Sequence, residues 1–368
     1  MGAGFEDNLS LKKPGSSLNP PLQNLYSTKS QTAIFAIAII YRSDSPLHKN
    51  SPFPIPHSPF PIPPQIRMSV ITTCKTKCLS YAGSAIERGG NISHMKWVIS
   101  EPLSIEKIKI AIADLPPSLR GTKIVQLTDF HYDGLRVSEK ILADAIEASN
   151  QAEPDLVVLT GDYITDEPEP IHQLVQRLKY LESRTGILAV LGNHDLYYYH
   201  SKTLVTDALT TIGVRVLWNE IAYPLGEKLP LVGLADFWSR EFNPAPVMNQ
   251  LNPKKPRIVL SHNPDSAESL QQWRVDLQLS GHTHGGQVVI PGFGPVPKLF
   301  KIIEKNFPRF ISSRIPFINT CSRVVNHWEW GMGMYRIGGN QLYVNRGLGT
   351  YPPGRLFCPP EVTIITLV

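Results

Sequence analysis

The chain has 368 residues, of which 42% are hydrophobic and 18% charged, and its formal net charge is +5. This length and composition are typical of a globular protein with one large domain or two modest ones. Nine of the 36 Lys and Arg residues and four of the 31 Asp and Glu residues precede Met95, which leaves 27 of each sign from Met95 onward. This balance argues against a broadly basic surface, so we expect no nucleic-acid partner.

Residues 1–94 differ in composition from the rest of the chain. They contain a near-repeat, SPFPIPH at 51–57 and SPFPIPP at 58–64, that favours polyproline II over a packed element. We expect 1–94 to be a disordered, proline-rich extension. The apolar run at 33–41 is shorter than the roughly 20 residues of a membrane span and does not look like a signal peptide. We therefore expect no export signal or anchor, and Met95 is a candidate translation start.

The cysteines do not form a zinc pattern. Cys74 and Cys78 are a single pair with no second pair or histidine cluster nearby, and Cys321 and Cys358 are far apart in the sequence. A reducing compartment is the simpler interpretation, so we expect a cytoplasmic protein.

From Ile105 onward, short apolar runs of strand type alternate with amphipathic helical patterns. The first elements after Ile105 are a strand at 123–128, a helix at 138–150, a strand at 155–160, a helix at 171–183 and a strand at 186–191. Further strands are predicted at 214–217, 229–234, 257–261 and 276–279, and a hairpin at 334–344 through Gly338-Gly339-Asn340. The βαβαβ order predicts an α/β fold with two sheets and helices outside.

Polar side chains follow five of these strands at the points where the strands end. They are Asp129 and His131, Asp162, Asn193-His194-Asp195, His262, and His282 with His284. Open α/β sheets bind ligands at the carboxyl ends of their strands. Each cluster alone has an ordinary explanation, because Asp caps helices and Asn or His shapes turns. Five such clusters together predict a metal site.

The chemistry of these residues suits two metal ions. Carboxylate, imidazole and amide ligands fit Mn, Fe or Zn, and a bridging carboxylate lets two cations sit roughly 3.5–4 Å apart. Such a pair clamps a phosphoryl group and generates hydroxide near neutral pH. The neighbouring glycines are expected to let the backbone approach the ions; they are Gly161, Gly192, Gly281, Gly285 and Gly286.

The five blocks resemble, in order, the motifs of the calcineurin-like metallophosphoesterase superfamily, namely D-x-H, G-D, G-N-H-[DE], H and G-H-x-H. The resemblance covers roughly residues 105–368 and implies that 95–368 is a metallophosphoesterase domain with a two-sheet αββα sandwich fold. It implies one metal held by Asp129, His131, Asp162 and His284, with Asp162 bridging, and a second held by Asn193, His262 and His282. His194 would contact the substrate phosphate and assist the leaving-group oxygen, with Asp195 fixing its ring.

The end of the chain resembles a bacterial subgroup of phosphodiesterases, the YaeI and YkuE types. The residues that carry this resemblance are YVNRGLGT at 343–350, Arg355 and CPPE at 358–361. A related branch hydrolyses the pyrophosphate of UDP-2,3-diacylglucosamine. The chain departs from the pattern at Tyr132-Asp133-Gly134, because many members have Gly directly after the histidine. We expect substrate choice to depend on 132–133, on an insert at about 292–331 and on 346–355.

The insert at 292–331 combines basic and apolar residues. From Lys298 to Arg323 the sequence contains six basic residues and one acidic residue, Glu304, with aromatic and aliphatic residues interleaved among them. This pattern suits peripheral contact with a membrane, which would favour a lipid-linked substrate. It equally suits a cap helix packed on its own domain with Lys and Arg extending into solvent. Pro308 and Pro316 blur the periodicity, so both interpretations stay open.

The sequence thus predicts an enzyme that hydrolyses phosphodiester or pyrophosphate bonds with two divalent metal ions. A phosphoprotein phosphatase is an alternative, although no open charged groove for a peptide is evident. A non-catalytic binding scaffold on the same fold is a second alternative, although Asn193-His194-Asp195 is intact.

Overall fold

The computed structural model of the chain describes residues 100–308, 315, 318–321 and 323–368. The predicted extension at 1–94, with its repeat, apolar run and first two cysteines, lies outside the described residues, as does Met95.

Two six-stranded sheets form the framework of the described part of the chain. The first sheet has the spatial order β1 (Ser104–Ile110), β14 (Glu361–Leu367), β2 (Lys123–Leu127), β3 (Leu156–Leu159), β4 (Ile187–Ala189), β5 (Val214–Val216). The second has the order β12 (Gly333–Ile337), β13 (Asn340–Val344), β9 (Leu277–Ser280), β8 (Ile258–Leu260), β7 (Leu231–Gly233), β6 (Glu220–Ala222). A small hairpin pairs β10 (Val289–Ile290) with β11 (Gly294–Pro295).

Parallel pairing dominates the centre of both sheets. Strands β2, β3, β4 and β5 are parallel, and so are β7, β8, β9 and β13. Strand β14 lies parallel to β1 and antiparallel to β2, and β12 pairs with β13 as the predicted hairpin. The predicted strands are confirmed; six of them are one to three residues shorter than predicted. Strands β6, β10, β11 and β14 were not identified from the sequence.

The helices of the described residues lie mainly between the strands of the first sheet or near the end of the chain. They are α1 (Glu139–Gln151), α2 (Ile171–Leu178), α3 (Ser201–Thr211), α4 (Ala245–Met248), α5 (Ser266–Ser269), α6 (Val296–Asn306) and α7 (Ile318–Cys321).

Helix α2 ends five residues before the predicted end at Ser183. The Asn150 side chain of α1 donates to the Tyr180 carbonyl (2.7 Å) and accepts from the Glu182 N–H (3.0 Å). A side chain from α1 therefore takes the backbone groups that a longer α2 would have used within itself.

Alternate residues of the first sheet build two different hydrophobic layers. Ile124 and Leu156 belong to the cluster between the two sheets, together with Leu260 and Leu279 of the second sheet. Their sequence neighbours, such as Val125, pack in a separate cluster under α1, α2 and α3. Because successive strand residues point to opposite faces, both faces of the sheet are buried. A third cluster lies under α4 on the second sheet. The predicted αββα sandwich is confirmed.

The insert begins with helix α6. Val296, Pro297 and Phe300 are buried, which agrees with a helix packed on its own domain. Ile302 and Phe307, however, are 41% and 46% exposed. Residues 309–314 and 316–317 of the insert lie outside the described residues. No helix of 100–308 and 318–368 is long and apolar enough to cross a membrane.

Ser138 caps α1, which packs over the first sheet. Its side chain accepts the N–H of Ile141 at 3.2 Å. We expect Ser138→Ala to lower the free energy of unfolding in urea by about 1 kcal/mol, because the N–H loses its acceptor. Glu147→Ala, at an exposed position of the same helix, is the control, with a change within about 0.5 kcal/mol. Equal effects of the two changes would contradict the capping role.

Candidate metal centre

The carboxyl ends of five strands meet at one edge of the sandwich. The loops after β2 and β3 in the first sheet contact the loops after β9 and β8 in the second, and the loop after β4 contacts the loop after β3. The Asp129 carboxylate accepts the N–H of His282 at 2.9 Å, and Asp162 Oδ2 lies 3.1 Å from His262 Nε2. The predicted strand-end clusters are therefore brought together.

The backbone is strained at most of these side chains. Ten non-glycine residues of the described chain have positive φ, and five of them are candidate ligands with φ between 44° and 71°. Those five are Asp129, His131, Asp162, His282 and His284. Left-handed backbone at residues other than glycine costs free energy and concentrates at functional sites.

Two glycines make room for the carboxylates. A methyl group on Gly192 would overlap with Oδ1 of Asp162, and one on Gly281 would overlap with Oδ2 of Asp129. Both carboxylates therefore pack directly against backbone, which no other residue type allows at these positions.

Not every predicted glycine serves the site in this way. A methyl group on Gly161 would collide with the Gly192 backbone and with Nδ1 of His262. Gly285 instead faces the Cys358 thiol, and Gly286 faces the proline side chains of 295 and 297. These last two glycines accommodate packing, and the expectation that they bring backbone near an ion stays a prediction.

The first group of candidate ligands consists of Asp129, His131 and His284. Nε2 of His131 lies 3.0 Å from Nε2 of His284, which is 3.4 Å from Oδ1 of Asp129. Ligand atoms of all three residues lie within 4.8 Å of one another. Oδ2 of Asp162 is 3.5 Å from Nε2 of His131, so this carboxylate also borders the first group.

The second group consists of Asp162, His262 and His282. Their ligand atoms also lie within 4.8 Å of one another, and Nδ1 of His282 is 3.2 Å from Nε2 of His262. Asp162 thus lies between the two groups, where the predicted bridging carboxylate has to be. Oδ1 of Asn193 is buried and has no hydrogen-bond partner among the described residues. An orphaned amide oxygen is costly unless a cation satisfies it.

Backbone carbonyls fix the tautomers of three imidazoles. Nδ1 of His262 contacts the Thr160 carbonyl (2.7 Å), Nδ1 of His284 contacts the Gly349 carbonyl (3.1 Å), and Nε2 of His282 contacts the Val324 carbonyl (2.9 Å). A carbonyl only accepts, so each of these nitrogens carries the proton. The other nitrogen of each ring, which faces the group, is the one available as a ligand.

Burial favours the uncharged forms of most of these groups. Burial lowers the pKa of His131 and of His282 to about 3 and that of His284 well below its usual range. Burial also raises the pKa of Asp129 to about 7, with repulsion from Asp162 adding to the effect. A compact cluster of carboxylates and neutral imidazoles is a poor arrangement without added positive charge.

His262 marks where that positive charge is required. Burial lowers the pKa of His262, but attraction by Asp162 outweighs it and raises the pKa to about 10. The Asp162 carboxyl, although buried, is held well below its usual pKa by His262 and His194. If His262 were neutral with its proton on Nδ1, its unprotonated Nε2 would lie 3.2 Å from the unprotonated Nδ1 of His282, and the two lone pairs would repel each other. The donor set of carboxylates and imidazoles therefore fits divalent cations.

His194 lies beside both groups. Its ligand atom and those of His131 and Asp162 lie within 4.8 Å of one another, and its backbone N–H donates to Oδ1 of Asp162 at 2.9 Å. Nδ1 of its ring contacts the Thr165 carbonyl and carries a proton. Nε2 is therefore the nitrogen left for a substrate.

The expectation that Asp195 fixes the His194 ring is wrong. The Asp195 carboxylate accepts the backbone N–H groups of Gly192 (2.8 Å), Asp162 (2.9 Å) and Tyr163 (2.9 Å). Burial, with repulsion from Asp162, raises the pKa of Asp195 to about 8. Asp195 therefore joins the loops after β3 and β4, and the Thr165 carbonyl orients the ring.

Of residues 132 and 133, on which substrate choice was expected to depend, one is buried and one is partly exposed. Tyr132 is 5% exposed and donates to Glu139 of α1 at 2.6 Å, so its side chain packs within the domain. Asp133 accepts from the Thr165 hydroxyl at 3.1 Å and pairs with Arg136. Asp133 thus supports the loop whose carbonyl holds His194.

The two arginines of 346–355 are engaged within the protein. Arg346 pairs with Glu106 (2.6 Å) and Glu361 (2.9 Å). Arg355 is fully buried and donates to backbone carbonyls, among them that of Gly349 at 2.7 Å. Both arginines therefore hold the turn after β13.

Tyr351 and Asp236 belong to the site although the sequence analysis did not name them. The Tyr351 hydroxyl is 3.0 Å from Nδ1 of His131, and the Arg136 guanidinium lies 4.5 Å from the centre of its ring. Asp236 is 1% exposed, and its Oδ1 is unpartnered among the described residues. Asp236 follows β7, so the strand-end rule could have found it. Thr165 gives no such signal, because it acts through its backbone.

We expect Gly192→Ala to displace the Asp162 carboxylate and to reduce bound metal to well under two ions per chain. Metal content after gel filtration in Mn²⁺ or Zn²⁺ is the measurement. Gly339→Ala is the matched control, because nothing lies within 4 Å of a methyl group there. Full metal content in Gly192→Ala would contradict the packing argument.

Comparison with known proteins agrees with this geometry. A family model described as calcineurin-like phosphoesterase matches residues 122–286. The chain is 32% identical over 297 residues to the uncharacterized metallophosphoesterase YkuE of Bacillus subtilis (78% of this chain, 93% of the relative). It is 31% identical over 299 residues to phosphodiesterase YaeI of Escherichia coli (80% and 99%). It is 27% identical to the UDP-2,3-diacylglucosamine pyrophosphatase LpxG of Chlamydia muridarum (74% and 92%). The chain therefore belongs to the calcineurin-like phosphoesterase family and is a metallophosphoesterase.

Proposed function

We propose that this metallophosphoesterase hydrolyses phosphodiester or pyrophosphate bonds at a centre of two divalent metal ions. The observation that carries the proposal is the position of Asp162 between two groups of histidines whose ring nitrogens face inward. The names of two relatives, phosphodiesterase and UDP-2,3-diacylglucosamine pyrophosphatase, support these bond types.

In this proposal each metal has a defined set of ligands. The first is held by Asp129, His131, Asp162 and His284, and the second by Asp162, Asn193, His262 and His282. When bound, the two cations would supply charge to neutralise phosphate oxygens and would lower the pKa of a water nucleophile.

His194 is the residue that would supply a proton to the leaving group. The Thr165 carbonyl holds the Nδ1 proton, so Nε2 faces the substrate and can carry the proton that the leaving oxygen takes up. The edge of the Tyr197 ring packs against this imidazole at a centroid distance of 5.0 Å. His194 is thereby held in one orientation, and little reorganisation is needed during reaction.

The alternatives receive less support. A non-catalytic scaffold is disfavoured because six candidate ligands and His194 lie close together, and the seventh, Asn193, has an amide oxygen with no partner among the described residues. A phosphoprotein phosphatase shares this centre, and no specific contact among the described residues favours a peptide substrate.

A substrate attached to a lipid is the second part of the proposal. Helix α6 exposes Ile302, and Phe307 is exposed directly after its last residue; the helix also carries Lys298 and Lys305. Apolar side chains beside lysines are the composition of an anionic-membrane contact. Residues 298–323 would then bring the enzyme to a lipid-linked phosphodiester or pyrophosphate.

We expect His194→Ala to retain two metal ions and to lose about 10²–10⁴-fold in kcat on a chromogenic phosphodiester, because a positioned proton donor contributes that much. Asp162→Ala is expected to lose metal as well, since it removes the shared ligand. Metal analysis and initial rates test both. His172→Ala, on the exposed side of α2, is the control. Normal turnover in either site variant would refute the assignment.

We expect Lys298→Glu with Lys305→Glu to lower co-sedimentation with phosphatidylglycerol vesicles by about tenfold or more, since each lysine at an anionic surface contributes about 1 kcal/mol. Lys179→Glu with Lys254→Glu makes the same charge change at exposed positions away from the insert. Equal loss in the two pairs, or unchanged binding in the first, would end the membrane proposal.

A further inference from the structure

The segment that closes the insert lies against the second group of ligands. This segment, residues 324–331, is called the return segment below. Its Val324 carbonyl accepts the Nε2 proton of His282 at 2.9 Å, and its Gly331 carbonyl accepts from the Thr283 hydroxyl at 2.7 Å. The insert thus contacts a candidate metal ligand directly and is more than an appended cap.

Asp265 attaches the return segment to the other histidine of the second group. It follows His262 by three residues and is 2% exposed. Its two carboxylate oxygens accept the backbone N–H groups of Asn326 (2.6 Å) and His327 (3.1 Å). Both histidine loops of the second group are therefore linked through one short piece of backbone.

The link decides which nitrogen of His282 is available. With the proton held on Nε2 by the Val324 carbonyl, the unprotonated Nδ1 faces Nε2 of His262 at 3.2 Å. If Val324 moves away, the imidazole is free to take the other tautomer or to rotate. Residues that orient a metal-bound histidine through its second nitrogen typically change metal affinity 10–100-fold.

Buried apolar side chains hold the return segment in place independently of its hydrogen bonds to Asp265. Val325 and Trp328 are 1% and 3% exposed and hold the segment in the apolar interior. Loss of the Asp265 contacts should therefore shift Val324 locally without unfolding the insert.

We infer that Asp265 is a positioning residue that, through the return segment, selects the metal-binding tautomer of His282 and so sets the affinity of the second metal position. This inference rests on the proposed two-metal function. It adds that Asp265, which is not a candidate ligand, sets the metal affinity of the second position and does not affect that of the first.

The test uses the full chain with Asp265→Asn, in which the amide NH₂ faces a backbone N–H and cannot accept from it. Titration of metal-free protein with Mn²⁺ by calorimetry should show one of the two sites losing affinity about 10–100-fold and the other site unchanged. Asp276→Asn is the matched control. Asp276 is also buried and accepts a backbone N–H, that of Arg257 at 2.9 Å, at the opposite end of β9.

A second measurement does not depend on activity or on metal. Nitrogen NMR of the histidine rings in the metal-free protein should show the Nε2-protonated form of His282 in the parent and in Asp276→Asn. A mixture of tautomers is expected in Asp265→Asn. Unchanged affinity at both positions together with an unchanged tautomer would overturn the inference. A parent protein that fails to bind two ions would instead overturn the proposed function.

Discussion

The Asp162 carboxylate is the point at which the two sheets are joined electrostatically. Oδ1 accepts the N–H of His194 from the first sheet, and Oδ2 lies 3.1 Å from His262 of the second. This carboxylate is buried at the bottom of the site, and its charge raises the pKa values of Asp129, Asp195 and His262. Gly192 has no side chain because the carboxylate occupies that space, and Asp195 holds the loop that carries it. A change in the charge at Asp162 would thus be felt by every other ionisable group of the centre.

Much of the fold was predictable because its signals are local. Strands β3 and β4 are continuous apolar runs, β2 is buried along most of its length, and α1 repeats its buried residues at helical spacing. Strand β14 was not identified, and no local pattern could have shown its place between β1 and β2. Its partners Ile108 and Ile124 are more than 200 residues away in the chain, and pairing at that separation depends on the assembled core. The early end of α2 has a similar cause, since it depends on an asparagine of another helix.

The candidate site shows the same division. The strand-end rule selected side chains that the structure does gather, because the carboxyl ends of parallel strands share one edge. Metal-ligand and catalytic roles for them stay predictions. The contact to the His194 ring was assigned to Asp195 from resemblance, whereas a backbone carbonyl makes it. Carbonyls of Thr160, Val324 and Gly349 likewise set the other imidazoles. Backbone groups are common to all residues, so the sequence carries no trace of these roles.

The contact between Val324 and His282 also has a thermodynamic consequence for the insert. If ion binding favours one arrangement of residues 324–331, then that arrangement must in turn favour ion binding by the same factor. A surface or partner that prefers the insert in this arrangement would raise the affinity for the ion, and added ion would strengthen attachment to that surface by an equal amount. Attachment of the enzyme to a surface and occupancy of its metal site would then be thermodynamically coupled.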